Sequence, residues 1–218
     1  LTPHASRDRM SDVDRAPLAG LGIAVTRPAQ QAAHLAQLIA ADGGRPILFP
    51  TIEIVAPDDP RPLIALIDRL DEFDLAIFIS PSAASMALTL IKARRELPPR
   101  LKLAAIGDGG VRALGSFGVS GVIAPVAPFD SEALLELPEL HNVAGRSVVI
   151  FRCDGGRALL GDTLAARGAQ IEYAECYRRA RSRADPAPLL DAWRRNELNA
   201  IIVTSSEGLR NLCEMVGQ

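Results

Sequence analysis

An internal repeat constrains the fold of this chain more than any other feature of its sequence. Gly22–Ile54 aligns without a gap with Ser147–Arg179, at a separation of 125 residues. In a second pair, Leu75–Leu88 aligns with Asn199–Leu212 at a separation of 124 residues. Each aligned segment contains an apolar run that leads through a turn into a helical pattern, which is the order of a strand–helix unit. The repeat predicts two similar α/β halves, with a cleft between them as the first place to look for function.

The apolar runs are typical of strands in parallel sheets. They lead into turn residues at five places, which are Ile23–Thr26, Leu75–Ile79, Leu103–Ile106, Val148–Phe151 and Ile201–Thr204. Continuous apolar strands that alternate with helices favour parallel sheets covered on both faces. The helix predicted after Arg27 ends at Gly43, where glycine suits a left-handed cap. The helix predicted after Gly156 ends in the same way at Gly168. The predicted fold class is α/β.

Composition argues against several classes of function. The chain has 218 residues, of which 48% are hydrophobic and 23% charged, and a net charge of −2. This balance is ordinary for a globular protein and predicts neither nucleic acid nor a membrane as a partner. Three scattered cysteines fit a reducing cytosol, and three isolated histidines lack the spacing of metal ligands. No apolar run approaches the ~20 residues that span a bilayer. We therefore expect a cytoplasmic protein without a metal site, and a monomer because no heptads or large apolar stripes ask for an oligomer.

The two ends of the sequence carry separate expectations. Residues 1–16 are polar and lack an apolar signal core, so they are expected to be a disordered lead-in, with Met10 as a candidate start. The first half of the repeat continues into Leu101–Val126, whose counterpart would begin near residue 225. The repeat therefore predicts a natural chain longer by roughly 30–40 residues.

Small, hydroxylated or glycine residues follow every predicted strand. The turns are Thr26-Arg27-Pro28, Ser80-Pro81-Ser82, Gly107-Asp108-Gly109-Gly110, Arg152 to Arg157 and Thr204-Ser205-Ser206. In parallel α/β sheets ligands bind beyond the carboxyl ends of the strands, where helix N-termini present N–H groups. The five turns together favour a receptor for an anion, although such residues also serve ordinary turns and caps. The glycine-rich turn lacks the further glycine and acidic residue of a dinucleotide site, and there is no P-loop lysine.

Three side chains are candidates for a more specific role. Arg27 and Arg152 occupy matching positions after matching strands. Each could bind a ligand carboxylate through two hydrogen bonds or pair with a nearby acidic side chain. Tyr177 lies where the second repeat unit joins the following segment, and it could serve either packing or catalysis. The sequence shows neither a Ser/His/Asp set nor a paired-carboxylate signature.

Seven motifs in this order and spacing resemble the bacterial uroporphyrinogen-III synthase family. Each motif is weak alone, but together they run from about Leu21 to the end of the chain. They are VTRP (Val25–Pro28), FPTIEI (Phe49–Ile54), IFISPSA (Ile77–Ala83), SEALL (Ser131–Leu135), IFRCDGGR (Ile150–Arg157), ARGAQIEYAECYRR (Ala166–Arg179) and VTSSEGLRNL (Val203–Leu212).

The resemblance implies two flavodoxin-like parallel-sheet lobes joined by a two-stranded antiparallel ribbon. It also implies that the lobes are interleaved in the sequence. Residues 17–49 and 180–218 would form lobe 1, with its C-terminal part missing, and residues 56–172 would form lobe 2. Residues 50–55 and 173–179 would form the ribbon between the lobes.

The resemblance further implies a reaction. The family converts hydroxymethylbilane, a linear tetrapyrrole that bears carboxylates, into uroporphyrinogen III, with inversion of the last ring, loss of water and no cofactor. Tyr177 would be the catalytic proton donor, and the substrate could be handed over by hydroxymethylbilane synthase. The expected substrate-binding residues are Arg27, Ser80, Ser82, Ala83, Gly109, Ser131, Arg152, Gly155, Gly156, Thr204, Ser205 and Ser206.

Two departures from the family pattern leave an alternative open. The family usually has threonine where this chain has Gly110 and glycine where it has Cys153. These changes favour a non-catalytic bilobal domain that senses a tetrapyrrole or another anion, whereas Tyr177 and the arginine turns favour the enzyme. A periplasmic type of sugar or ion receptor fits poorly, because aromatic residues make up 4% of the chain and no signal segment is expected.

Overall fold

The computed structural model describes residues 16–155 and 158–217. In chain order its strands are β1 (Gly22–Val25), β2 (Arg45–Leu48), β3 (Ile52–Val55), β4 (Leu75–Phe78), β5 (Lys102–Ala105), β6 (Ser147–Cys153), β7 (Gln170–Arg181) and β8 (Ala200–Ile202). Its helices are α1 (Ala29–Ala41), α2 (Arg61–Asp68), α3 (Pro81–Arg94), α4 (Asp108–Gly115), α5 (Ser131–Leu135), α6 (Pro138–His141), α7 (Leu159–Ala166), α8 (Ala187–Arg194) and α9 (Ser206–Val216). In these stretches no helix combines the length and the apolar character needed to cross a membrane.

The chain divides into two compact units. Unit 1 combines the described residues up to Glu53 with those from Ala180 onward, and unit 2 runs from Ile54 to Arg179. Both boundaries fall inside strands, β3 and β7, which are neighbours in a five-stranded sheet. The units are therefore interleaved in the sequence and not contiguous.

Unit 2 contains the strand order β7-β6-β4-β5, with β3 beside β7. β4 is parallel to β5 and β6, and β6 is parallel to β7. Successive side chains of a strand point to opposite faces of the sheet. Phe78 and Phe151 accordingly join a core cluster with α2 and α3, while Ile77 and Ile150 join a second cluster with α5, α6 and α7. Burial on both faces explains why these strands are continuous apolar runs, and the predicted parallel α/β fold is confirmed.

Unit 1 repeats this arrangement with the strand order β2-β1-β8. β1 is parallel to both neighbours and is buried over its full length. Ile23 and Val25 pack with α1 on one face. Ala24 packs on the other face with Leu189 of α8 and Leu212 of α9. The central strand of unit 1 is therefore covered on both faces, as in unit 2.

The strand registers of the two units are copies of each other. In unit 1, Ile23 of β1 lies opposite Ala200 of β8. In unit 2, Val148 of β6 lies opposite Leu75 of β4. Val148 of β6 is the repeat counterpart of Ile23 of β1, and Ala200 of β8 is the counterpart of Leu75 of β4. The residue numbers in each of these two pairs differ by 125, because 148 − 23 and 200 − 75 both equal 125. One offset therefore relates both strand pairs.

The separation of 124 residues predicted for the second pair of segments is wrong by one residue. Ser80 is the N-cap of α3 and Ser205 is the N-cap of α9, and these two serines are 125 residues apart. The alignment at 124 matched Ser82 with Ser206 and moved each helix cap out of place. Helix caps and strand register are constrained by hydrogen bonds, whereas serine identity in a serine-rich turn is not.

Glycines end the two equivalent helices as predicted. α1 ends at Ala41, and Gly43 follows with φ +82°. α7 ends at Ala166, and Gly168 follows with φ +89°. A left-handed residue at this position strongly favours glycine, because other L-residues place Cβ against the backbone there.

We expect Phe151→Ala to lower the free energy of unfolding by about 3–5 kcal/mol, because it leaves a cavity in the core of unit 2. Phe151 is fully buried, and its ring stacks on that of Phe78 with centroids 4.8 Å apart. Urea unfolding followed by circular dichroism measures the change. Leu159→Ala is the control: Leu159 is 41% exposed, so its loss is expected to cost less than about 1 kcal/mol. Equal losses in the two variants would contradict this assignment of the core.

Candidate functional site

Ser80 sits at the carboxyl end of β4 and caps α3. Its backbone is extended, with φ −159° and ψ 161°, and its side chain accepts a hydrogen bond from the Ala83 amide at 3.0 Å. Serine suits this position because its hydroxyl satisfies one of the free N–H groups in the first turn of a helix. Pro81 follows at the first helical position, where the missing N–H costs nothing. The turn therefore holds a hydroxyl group at the N-terminus of a 14-residue helix.

The hydroxyl of Tyr177 lies 3.0 Å from Ser80 Oγ. Tyr177 is on β7 opposite Cys153, the last residue of β6, and its side chain is 2% exposed. β7 and β4 flank β6 on its two sides, so the tyrosine approaches Ser80 at the point where β6 ends. Its ring belongs to the core of unit 2. Packing and a polar role therefore coexist in one side chain.

Burial raises the pKa of the Tyr177 phenol above its usual range. The hydrogen bond with Ser80 acts in the opposite direction and favours the phenolate, while the neighbouring Cys153 thiol again raises the pKa. Desolvation is the largest of these effects, because a buried phenolate loses its hydration. Tyr177 consequently keeps its proton at neutral pH.

Two buried cysteines lie beside this hydroxyl pair, and sequence reasoning gave neither of them a role there. The thiol of Cys176 is 3.3 Å from the carbonyl oxygen of Arg152 and 3.7 Å from that of Ala83. Burial raises the pKa of Cys176 to about 12. Cys153 is also buried and contacts Tyr177. The pairing register of β6 and β7 places Cys153 opposite Tyr177. The repeat in the sequence does not specify this register, so the sequence alone could not identify the cysteines as neighbours of Tyr177.

The two arginines of the matching turns have local partners. Arg152 forms an ion pair with Glu175 at 3.2 Å, and its guanidinium lies over the ring of Tyr173 at 3.9 Å from the centroid. Arg27 donates to the side chain of Gln31 at 3.2 Å. Local pairing, which the sequence left open beside carboxylate binding, is therefore present at Arg152. A substrate carboxylate would have to compete with Glu175 or bind beside it.

The other substrate-binding residues predicted for unit 2 that the structure describes lie in turns or among the first residues of helices. Gly109 lies against Pro81, since a Cβ at Gly109 would come within 2.8 Å of the proline ring. Ser131 is the first residue of α5, and the preceding Asp130 caps that helix. Gly155 is exposed with φ +68° in the turn after β6. Ser82 is partly buried in the first turn of α3. Gly156 lies outside the described residues.

The predicted turn of unit 1 has the same construction. Ser205 is extended and its side chain accepts a hydrogen bond from the Gly208 amide at 3.0 Å. Thr204, Ser205 and Ser206 are exposed. The turn that carries Arg27 follows β1, the parallel neighbour of β8. The structure thus brings Arg27 and the Thr204–Ser206 turn to the same edge of the unit 1 sheet, while Ser80, Ala83 and Tyr177 are linked by hydrogen bonds in unit 2.

Close packing explains why this chain has glycine at position 110, where the family usually has threonine. Gly110 is buried in the first turn of α4, and a Cβ there would come within 2.9 Å of the Cβ of Ala105. A side chain at this position therefore requires α4 to move away from β5. Gly107 is also closely covered, because a Cβ there would come within 2.8–3.1 Å of the Phe129 side chain.

Metal binding finds no geometric support in residues 16–155 and 158–217. Within these ranges no three His, Cys, Asp or Glu side chains are grouped so that they could hold an ion.

The fold and the turns define a class of protein: a duplicated α/β protein with polar turns and capped helix N-termini beyond the carboxyl ends of parallel strands. The family model described as uroporphyrinogen-III synthase HemD matches residues 33–218. The chain belongs to the uroporphyrinogen-III synthase family.

Individual relatives agree with this assignment. Uroporphyrinogen-III synthase of Salmonella typhimurium is 35% identical over 199 residues, which cover 91% of this chain and 81% of that protein. The Escherichia coli uroporphyrinogen-III synthase is 35% identical over 200 residues, with the same two shares.

Solved structures show the same fold. A mutant uroporphyrinogen III synthase from Thermus thermophilus superposes with a TM-score of 0.59 at 20% identity, covering 89% of this chain and 76% of that one. The Helicobacter pylori uroporphyrinogen-III synthetase gives 0.52 at 14% identity, covering 89% and 78%. At these identities the likeness concerns the fold alone.

We expect Gly110→Ala to lower the free energy of unfolding by about 1–3 kcal/mol, because its Cβ collides with that of Ala105. Adding Ala105→Gly to the same chain should recover part of this loss. Gly115→Ala in the same helix is the control: no atom lies within 4 Å of its added Cβ, so it should be neutral or stabilising. Thermal unfolding of the four proteins measures these effects, and an unchanged Gly110→Ala protein would contradict the close packing.

The buried thiol of Cys176 predicts a loss of stability at alkaline pH. In the unfolded chain this thiol ionises near 9, whereas in the folded protein its pKa is about 12. Between these values the unfolded state binds fewer protons, so the free energy of unfolding should fall by up to about 1.4 kcal/mol per pH unit. Cys176→Ala should reduce this slope, whereas Cys213→Ser, at an exposed thiol, should not. Equal slopes in both variants, measured by urea unfolding between pH 8 and 11, would refute the assignment.

Proposed function

We propose that the chain catalyses the reaction of its family, the conversion of hydroxymethylbilane to uroporphyrinogen III. The observation that carries the proposal at atomic level is the Tyr177–Ser80 hydroxyl pair at the N-terminus of α3. It places a protonated phenol at the carboxyl edge of a parallel sheet, where ligands of such folds bind. The family membership supports the same reaction.

In this mechanism Tyr177 is the general acid. The C–O bond of the terminal hydroxymethyl group breaks, and the departing oxygen takes the phenolic proton and leaves as water. General-acid assistance of this kind typically contributes 10²–10⁴-fold. The raised pKa of Tyr177 keeps the proton in place until the leaving oxygen demands it. The phenolate can recover a proton when a ring carbon loses one on closing the macrocycle.

The remaining groups are proposed to hold the substrate and to direct its closure. Hydroxymethylbilane carries carboxylate side chains on all of its rings, and each can accept hydrogen bonds from helix N-termini and hydroxyl groups. Holding the chain so that the inverted attack is the nearest one is a proximity effect, which reaches about 7–11 kcal/mol in ideal intramolecular cases. The proposed contacts are Arg27, Ser80, Ser82, Ala83, Gly109, Ser131, Arg152, Gly155, Gly156, Thr204, Ser205 and Ser206. No cofactor takes part in the proposed steps.

The finer architecture is also part of the proposal. The strand order β2-β1-β8 in unit 1 reads 2-1-3 in chain order, and the order β5-β4-β6-β7 in unit 2 reads 2-1-3-4. Both agree with the start of the flavodoxin-like order 2-1-3-4-5. We propose that both units are flavodoxin-like and that residues 50–55 and 173–179 form an antiparallel ribbon. The protein is also proposed to be a cytoplasmic monomer and to receive its substrate from hydroxymethylbilane synthase.

We expect Tyr177→Phe to reduce kcat for isomer III by about 10²-fold or more, because it removes the proton donor while preserving the ring. Tyr173→Phe is the matched control on the same strand, and its activity should stay within about twofold of the parent. The assay supplies hydroxymethylbilane and separates the oxidised porphyrin isomers.

Two results would count against the proposal. Parent protein that leaves only the uninverted isomer I, with pure hydroxymethylbilane and a folded enzyme, would reject the synthase and favour a sensing domain. Full activity of Tyr177→Phe would keep the synthase and remove Tyr177 as the acid.

Activity of the parent should also persist up to the ordinary ionisation range of tyrosine and fall above it, since a raised pKa preserves the acid form.

A further inference from the structure

The Ser80 hydroxyl takes part in two hydrogen bonds with different partners. It accepts the amide hydrogen of Ala83 at 3.0 Å, and it lies 3.0 Å from Tyr177 Oη. The first bond caps α3 and uses a lone pair of Ser80 Oγ. The hydroxyl hydrogen of Ser80 remains to be placed. Within the described part of the chain, Tyr177 Oη is the acceptor at hydrogen-bonding distance from it.

We propose that Ser80 donates this hydrogen to Tyr177 Oη and is therefore a positioning residue for the proton donor, in place of the direct substrate contact that the family resemblance implies for it. With its oxygen accepting from Ser80, the phenol must direct its own hydrogen elsewhere. The thiol of Cys153 is a further neighbour of this hydroxyl, and the positive charge of Arg179 also acts on it and lowers its pKa. Sulfur is a weak acceptor that gives up a hydrogen bond at little cost. The phenolic proton is thereby kept available for a leaving group.

The same bond assists the step after proton transfer. Ala83 N–H, Ser80 O–H and Tyr177 Oη form a chain in which each donor strengthens the next. The chain begins at the N-terminus of α3, a 14-residue helix, where the potential is positive. A phenolate at Tyr177 is therefore stabilised through Ser80, which agrees in sign with the lowering of the Tyr177 pKa by this bond.

The duplicated unit separates this role from helix capping. Ser205 caps α9 with the same extended conformation and the same distance to an amide, that of Gly208. The counterpart of Tyr177 in the repeat is Ile52, since 177 − 125 is 52, and isoleucine has no hydroxyl to orient. Capping alone therefore explains a serine at both positions, and the tyrosine contact is an addition at Ser80.

This inference rests on the proposed function, because positioning matters only if Tyr177 is the acid. The kinetic test compares Ser80→Thr, Ser80→Ala and Ser80→Asp in the parent and in the Tyr177→Phe background. Threonine keeps both the acceptor and the donor, and aspartate keeps the cap acceptor but cannot donate. Ser80→Thr should stay within about threefold of the parent in kcat, and the other two should lose about tenfold or more.

The background variant distinguishes positioning from direct substrate binding. If Ser80 acts through Tyr177, Ser80→Ala should cost less than about twofold once Tyr177 is phenylalanine. If it binds substrate independently, the two losses multiply, and that result would overturn the inference. Ser205→Ala, measured by thermal unfolding alone, gives the stability cost of losing an equivalent cap.

A second measurement does not depend on activity. The chain has two tyrosines, so in Tyr173→Phe the phenolate absorbance reports Tyr177 alone. Ser80→Ala and Ser80→Asp should both move this titration to higher pH, by about 1 unit for alanine, with circular dichroism confirming that the proteins remain folded. An unmoved titration would refute the donation by Ser80. If the parent makes no isomer III, the proposed function fails, and the titration still decides the orientation of the hydroxyl pair.

Discussion

The parallel pairing of a central, mostly buried strand with its two neighbours is the interaction on which the rest of each unit depends. β6 in unit 2 and β1 in unit 1 lie between two parallel partners, and their apolar residues pack against helices on both faces. A shift of one residue would turn every side chain of such a strand to the opposite face. This cost explains why both units keep the same register at an offset of 125 residues, although their side chains differ.

That register decides where the polar groups lie. Parallel strands have their carboxyl ends at the same edge of a sheet, and the helices that follow them begin there. Free N–H groups and the hydroxyls that cap them therefore lie together at this edge. Ser80 and Ser205 are the clearest case, because the backbone requires a cap at both positions. Chemistry enters where a side chain from another strand reaches one of these caps. In unit 2 that side chain is Tyr177, held by the core and hydrogen-bonded at its tip.

Local signals in the chain were sufficient for the α/β class, the five apolar strands and the glycine caps at Gly43 and Gly168, because each depends on a few consecutive residues. The repeat offset was harder. The alignment at 124 followed identical serines, whereas hydrogen bonds of the cap and the strand ladder impose 125. Arg152 shows the same limit, since its partner Glu175 lies on the neighbouring strand. Gly110 could be seen as a departure from the family pattern, but its contact with Ala105 could not.

The sequence by itself determined five of the strands, the polar turns that follow them and the family to which the motifs point, since these follow from apolar periodicity, turn chemistry and motif order. Tertiary structure alone decided which residues meet. Tyr177 and Ser80 are separated by almost a hundred positions, and their contact requires β7 and β4 to lie on either side of β6. Such a contact depends on strand order and register at once, and neither is encoded in the residues that form it.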